Sequence, residues 1–169
     1  MAFARGRVIV GVTGTLVNLH ALRVAVDVAR AHDAVLYAVH VWDTGDDMES
    51  VYATAHKPGI LPRLRLVGNA FDQALGGCPG DLDVRPLVTE GRPWCRLAQL
   101  TQRDTGLLVV GASHRPWWRR LSPTTGGQCI RRAHCPVLVV PPPQMVAQAL
   151  AAPAPNVGDR QPAPRRTVR

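Results

Sequence analysis

Two apolar runs near the C-terminal end of the chain decide its fold: Leu107-Leu-Val-Val-Gly-Ala-Ser-His114 and Cys135-Pro-Val-Leu-Val-Val140. A basic loop and a short helix-compatible run separate them. Continuous runs of branched residues are typical of strands buried on both faces of a parallel sheet, and a helix between two such strands forms a parallel crossover. The loop after the first run then lies at a helix N-terminus, at the edge of the sheet where anionic ligands bind in open parallel folds.

The same alternation of strands and helices extends back to the start of the chain. Apolar runs predict strands at residues 7–12, 34–41, 83–88, 106–111 and 136–140. Apolar residues spaced three and four apart predict helices at residues 18–32, 61–75, 93–101 and 125–133. This order predicts an α/β fold of the Rossmann-like type, with an open parallel five-stranded sheet and helices on both faces.

Individual residues refine this prediction. The first helix should bury one stripe, formed by Leu19, Leu22, Val26 and Ala29. The last helix should turn Ile130 and Ala133 inward. His40 is predicted to be a hydrogen-bonded core histidine, and Cys129 and Cys135 to be small buried hydrophobic residues.

Prolines and glycines indicate one edge of the sheet and the ends of two helices. Pro86 places the third strand at an edge of the sheet, since proline cannot donate to a ladder on both sides. Pro93 stands in the first turn of a helix, and Gly76-Gly77 ends another. The acidic segment 42–59 is expected to be a solvated surface excursion.

Composition limits the class of protein. The chain has 169 residues and predicts one domain at residues 1–141, followed by a disordered Pro/Ala/Arg-rich tail at 142–169. No apolar run is long enough for a membrane span, and the N-terminus lacks a signal-peptide core, so a cytoplasmic protein is expected. The four cysteines show no zinc-site spacing.

The charge of the chain leaves two interpretations open. Its formal net charge is +8, and arginines cluster at Arg115, Arg119 and Arg120 and again in the tail. Such clusters can bind nucleic acid or another anion, and Trp117-Trp118 between them could stack on a base. The arginines can equally form a solvated surface, and the two tryptophans can pack against the protein.

Five strings in a fixed order resemble the universal stress protein family, within the adenine nucleotide alpha hydrolase-like superfamily. They are Val8-Ile-Val-Gly-Val12, Tyr37-Ala-Val-His-Val41, Val88-Thr-Glu-Gly91, Leu107-Leu-Val-Val-Gly111 and Cys135-Pro-Val-Leu-Val-Val140. The resemblance implies a sheet of strand order 3-2-1-4-5 and a cytoplasmic role in the stress response. It also implies a homodimer formed through the last strand, Val137, Leu138, Val139 and Val140.

The resemblance further implies ATP as the ligand, or another adenine nucleotide. Many members carry Gly-x2-Gly-x9-Gly-Ser/Thr after strand four. Here Gly111 fills the first position and His114 replaces the second glycine. The closing pair falls on either Thr124-Thr125 or Pro123-Thr124, and neither alternative contains the glycine.

Two further family positions lie at the ends of other strands. An aspartate that contacts the nucleotide follows strand one in ATP-binding members, and Thr13 stands there in this chain. Val41 matches the strand-two position whose backbone meets adenine. The predicted site therefore comprises Val12, Thr13, Val41, Gly111, His114, Arg115, Thr124, Thr125 and Gly126.

The function predicted from these features is a stress-response binding module with a degenerate ATP motif. No Walker motif, nucleophile elbow or metal set indicates an enzyme. Three alternatives stay open. Arg115 and its neighbours could compensate for the lost phosphate contacts, the basic loop and tail could bind nucleic acid or another anion, or His114 could support ATP hydrolysis or phosphotransfer.

Overall fold

A computed structural model describes residues 6–42, 59–102, 105–112 and 124–144. Residues 43–58 of the acidic segment, the basic loop with His114 and Arg115, and the tail beyond residue 144 lie outside these ranges. Trp42, which the prediction placed at the start of that segment, is the last residue of a strand. In chain order the elements are β1 (Arg7–Gly11), α1 (Leu16–Ala31), β2 (Val35–Trp42), α2 (Ile60–Leu75), β3 (Val84–Glu90), α3 (Pro93–Leu100), β4 (Thr105–Gly111), α4 (Thr125–Arg132) and β5 (Val137–Val140).

The five strands form one parallel sheet in the order β3-β2-β1-β4-β5. β1 lies at its centre, where Val10 pairs with Ala38 of β2 and with Val109 of β4. The prediction of an open α/β sheet of order 3-2-1-4-5 is confirmed. The winding direction reverses between β1 and β4, and the helices α1 and α4 that follow these two strands lie on opposite faces of the sheet, which opens a crevice at the carboxyl ends of the strands.

Side chains alternate between two core layers, one on each face of the sheet. Val8 and Val10 point toward α1 and α2, while Ile9 between them points toward α3 and α4. The predicted stripe of α1 is confirmed, because Leu19, Leu22, Val26 and Ala29 are all buried in the first layer. Double burial explains why the central strands read as continuous apolar runs and not as alternating ones.

The orientation of α4 corrects one prediction. Ile130 does not face inward and is 60% exposed. The line of α4 that meets the sheet runs through Gly126, Cys129 and Ala133, three and four residues apart. Ile130 follows Cys129 directly and is therefore rotated by about 100° away from that line.

The two cysteines predicted to be small hydrophobic residues belong to the α3 and α4 layer. Cys129 is fully buried, and burial raises the pKa of its thiol to about 11. Cys135 is half-buried and packs on the same layer, and burial raises the pKa of its thiol as well. Both groups are neutral thiols at neutral pH, which suits apolar packing and disfavours reactivity.

The predictions made from three prolines and glycines are confirmed. Pro86 lies in β3, an edge strand that bonds only to β2 among the described strands, and Pro93 is the first residue of α3. Gly76 ends α2 with φ of 77°, and its N–H donates to the Asp72 carbonyl at 2.9 Å. Within the described ranges, no helix has the length and apolar character needed to cross a membrane.

Two glycines of α2 should respond to alanine in opposite directions. Gly76→Ala should lower the free energy of unfolding by about 1 kcal/mol, because alanine is strained in the left-handed region. Gly68 lies on the exposed face of the same helix with open space around it, so Gly68→Ala should raise the free energy by about 0.5–1 kcal/mol. Urea denaturation measures both values, and shifts of the same sign would contradict this account of how α2 ends.

Candidate functional site

A crevice of about 490 Å³ opens at the carboxyl ends of β1 and β4. Its volume lies within the range of roughly 300–1,000 Å³ that is typical of small-molecule sites. Residues from the first two strands, the first turn of α1, the start of α3, the end of β4 and the start of α4 form its wall. They are Gly11, Val12, Thr13, Thr15, Val17, Asn18, Val39, Val41, Pro93, Leu97, Val110, Gly111, Ala112 and Thr125.

The deeper wall of the crevice is apolar. Val39 and Val41 of β2, Leu97 of α3 and Val110 of β4 are buried members of the α3 and α4 core layer, and they also line the crevice. The opening therefore reaches down to the core of the domain. Such a surface can accept a flat ring or another apolar group through dispersion contacts and the exclusion of water.

The polar part of the described wall carries hydroxyl and amide groups. Thr13, Thr15 and Asn18 lie on the β1 and α1 side, and Thr125 lies at the start of α4. Thr15 is the N-cap residue of α1, but its hydroxyl makes no capping bond and instead lies 3.3 Å from the hydroxyl of Thr13. Among the lining residues that the structure describes, none is charged.

Two side chains form hydrogen bonds to backbone carbonyls at the end of β1, at Gly11 and at Val12 directly after it. The Asn18 Nδ2 donates to the carbonyl oxygen of Gly11 at 3.2 Å, and the His40 Nδ1 bonds to the carbonyl oxygen of Val12 at 2.9 Å. Because a carbonyl can only accept, the proton of the His40 ring must lie on Nδ1. The predicted hydrogen bond of His40 is confirmed, but its side chain is half-buried, since it lies near the carboxyl end of β2.

Gly111 is tightly enclosed by the first turn of α1. A Cβ atom at this position would lie 2.7 Å from the Asn18 Oδ1, 3.2 Å from the Val17 Cγ1 and 3.3 Å from the Val17 carbonyl oxygen. Real Cβ atoms essentially never approach a neighbour as closely as the first of these distances. Packing against α1 therefore favours glycine at the end of β4, since a Cβ there would displace the Asn18 side chain and crowd Val17.

The first turn of α4 uses part of its own hydrogen-bonding capacity. The Thr124 hydroxyl oxygen accepts from the Gly127 N–H at 3.1 Å and so caps the helix. Gly126 is buried and faces the sheet, where an added Cβ would contact Val139 and Val110. Thr125 is the residue of this turn that lines the crevice.

Comparison with known proteins supplies the family. The model of the universal stress protein family matches residues 4–141. The chain belongs to this family. Among curated proteins, none matches the chain in sequence.

Solved structures of universal stress proteins share the fold. One, in complex with cAMP, is 24% identical, with a TM-score of 0.62 over 83% of this chain and 99% of the other. UspA from Lactobacillus plantarum is 19% identical, with a TM-score of 0.56 over 80% and 97% of the two chains. A universal stress protein from Archaeoglobus fulgidus is 17% identical, with a TM-score of 0.55 over 81% and 99%. At these identities the likeness establishes the fold alone.

The predicted site residues of this universal stress protein fall into three groups. Five line the crevice: Val12, Thr13, Val41, Gly111 and Thr125. Thr124 and Gly126 flank Thr125 in α4, where the first caps the helix and the second packs on the sheet. His114 and Arg115 lie outside the described residues.

Sequence reasoning missed several lining residues of this family member. Thr15 was not predicted to line a site, and Asn18 was predicted only as the start of a helix. Their position after the first strand was a usable signal, because the connection that follows a strand of a parallel sheet begins at the edge that carries ligands. Pro93 and Leu97 were assigned to a helix whose start also faces this edge.

His40 offers a test of how the end of β1 is held. His40→Leu keeps much of the side-chain volume but removes the donor, so the free energy of unfolding should fall by about 1–2 kcal/mol. His40→Asn places an amide nitrogen near the former Nδ1 and should recover part of this loss. Urea denaturation provides the comparison, and equal losses in the two variants would show that the hydrogen bond to Val12 contributes nothing.

Proposed function

We propose that this universal stress protein is a binding module that takes the base and ribose of an adenine nucleotide into the crevice and holds the phosphates weakly. The observation that supports this most directly is the composition of the crevice: a deep apolar wall with hydroxyls and one amide at its rim, and no charged side chain among its described lining residues. We place this activity in the cytoplasm and in the stress response, as the family resemblance implies.

The apolar wall suits an adenine ring. Val41, Leu97 and Val110 offer branched side chains from β2, α3 and β4 that surround the deep end of the opening. The hydroxyls of Thr13 and Thr15 lie on the α1 side, where they can exchange hydrogen bonds with a ribose. The structural neighbour bound to cAMP supports an adenine nucleotide as the ligand class.

The phosphate end is weaker in this chain. Thr13 replaces the family aspartate and His114 replaces a glycine, and the Gly127 N–H already donates to the Thr124 hydroxyl oxygen. A non-glycine residue in a left-handed conformation costs roughly 1–2 kcal/mol, a cost that applies to His114 if the motif requires that conformation there. Thr124, which takes the other glycine position in one of the two registers, has a φ of −76° and bears no such cost. Because each 1.4 kcal/mol is tenfold in affinity, the loss at His114 alone would move a micromolar triphosphate complex to roughly 5–30 micromolar.

Binding is also proposed in preference to catalysis. The described lining residues include no carboxylate, imidazole or thiol that could act as a general base. Among the residues that the structure describes, no group of three or more histidine, cysteine, aspartate or glutamate side chains could hold a metal ion. Nothing in the described wall would therefore activate a water molecule or a hydroxyl toward a phosphate.

Isothermal titration with adenosine and with ATP and magnesium tests the proposal. The two affinities should agree within about tenfold, a difference of 1.4 kcal/mol, because the phosphates add few contacts. Ala112→Phe places a ring in the crevice and should abolish both. Asn69→Phe, on the exposed face of α2, is the matched control and should leave both unchanged.

Low-micromolar ATP binding, more than about a hundredfold tighter than adenosine, would contradict the weak phosphate site. In that event Arg115→Ala tests whether this arginine replaces the lost phosphate contacts. If the affinity of the variant for ATP falls to its affinity for adenosine, Arg115 supplies the missing charge. Nucleic-acid binding depends on the basic loop and tail, which lie outside the described residues, and it stays a prediction.

We further propose that the protein forms a homodimer through β5. This strand of four apolar residues is an edge of the sheet and pairs with β4 alone among the described strands, and Leu138 is 37% exposed. A short apolar edge leaves backbone groups available to a second copy. Leu138→Lys should convert the dimer to a monomer in sedimentation velocity, whereas a sedimentation coefficient unchanged from the wild type would oppose this interface.

A further inference from the structure

We infer that Asn18 is a positioning residue that sets the width of the crevice by bridging the ends of β1 and β4. The family motif considered above contains no residue at this position. The inference rests on the proposed function for its effect on binding, but its geometric part stands without a ligand. The amide group of the Asn18 side chain lies between the ends of the two strands.

The two polar atoms of the Asn18 side chain meet different strands. Its Nδ2 donates to the Gly11 carbonyl oxygen of β1 at 3.2 Å. Its Oδ1 lies 2.7 Å from the place that a Cβ on Gly111 of β4 would occupy. The donor bond to Gly11 orients the planar amide, so the Oδ1 occupies the space that a side chain on Gly111 would need.

The first turn of α1 follows this side chain onto the sheet. The Val17 Cγ1 and the Val17 carbonyl oxygen lie 3.2 Å and 3.3 Å from the same Cβ position at Gly111. A Cβ at residue 111 would therefore require the Asn18 side chain to turn and the first turn of α1 to shift by a few tenths of an ångström. In this chain α1 thus favours glycine at the first position of the family motif, whether or not a phosphate approaches it.

The width of the crevice depends on this contact. Thr15, Val17 and Asn18 form its α1 side, while Val110 and Gly111 form its β4 side. The amide of Asn18 lies between these two sides, and the residue is half-buried in the crevice wall. Sites bind well when their walls are held within about half an ångström, so loss of the bridge should weaken any ligand that contacts both sides.

A double-mutant cycle tests the bridge without a ligand. Gly111→Ala should shift the urea midpoint downward in the wild-type background, because the new Cβ meets the Asn18 Oδ1 and displaces its amide from the Gly11 carbonyl. In the Asn18→Ala background the same substitution should cost about half as much, since the contact with Val17 remains but the Oδ1 is gone. Asn18→Asp keeps an Oδ1 but cannot donate to the Gly11 carbonyl, so its carboxylate is free to turn away and the cost should fall between those in the other two backgrounds.

Gly68→Ala is the matched control, because it lies on the exposed face of α2 in open space and should add to Asn18→Ala without coupling. Additive effects of Asn18→Ala and Gly111→Ala would overturn the bridge. If Gly111→Ala does not fold, a folded double variant supports the inference. A double variant that also fails to fold overturns it, because the Asn18 Oδ1 is then not the obstacle.

Adenosine titration separates a positioning role from a merely structural one. At a temperature where Asn18→Ala and Asn18→Asp are fully folded, both should bind adenosine about tenfold more weakly than the wild type. Coupling in the cycle with unchanged adenosine affinity would overturn the positioning role. If the wild type binds no adenosine, the proposed function fails, while the stability cycle still decides whether Asn18 joins the two strands.

Discussion

The parallel pairing of β1 with β2 on one side and β4 on the other is the constraint on which the rest of the structure depends. Val10 pairs with Ala38 and Val109, so the central strand is buried by both neighbours and by helices on both faces. The helices α1 and α4, which follow β1 and β4, lie on opposite faces of the sheet. The crevice exists because of that divergence, and the residues that line it come from elements already fixed by the core.

The crevice is continuous with the core layer of α3 and α4. Val39, Val41 and Val110 stabilise the sheet by burial and at the same time form the apolar wall. The polar side is built differently, since the Asn18 and His40 side chains satisfy the last carbonyls of β1. A buried carbonyl without a partner is costly, so these bonds hold the end of β1 in one conformation.

Sequence reasoning succeeded where one physical cause acts locally. Doubly buried strands need continuous apolar runs, and Pro86 and Gly76 act through their own backbone geometry, so these features could be read directly. The prediction for Ile130 was wrong because the sheet decides which face of an eight-residue helix is buried. The two glycines of this helix left no apolar stripe in the sequence that could indicate that face. Asn18 was missed because its role depends on contact with Gly111, a residue far away in the chain.

The central claim is that an adenine ring enters between β1, β2 and β4 at the carboxyl edge of the sheet. Amide chemical-shift mapping of the full chain during titration with adenosine tests it most directly. The account predicts that the largest shifts fall on Val12, Val41 and Val110 and their neighbours in the crevice wall. Shifts concentrated at the amino ends of the strands, around the exposed ion pair of Arg30 and Asp81, would contradict it.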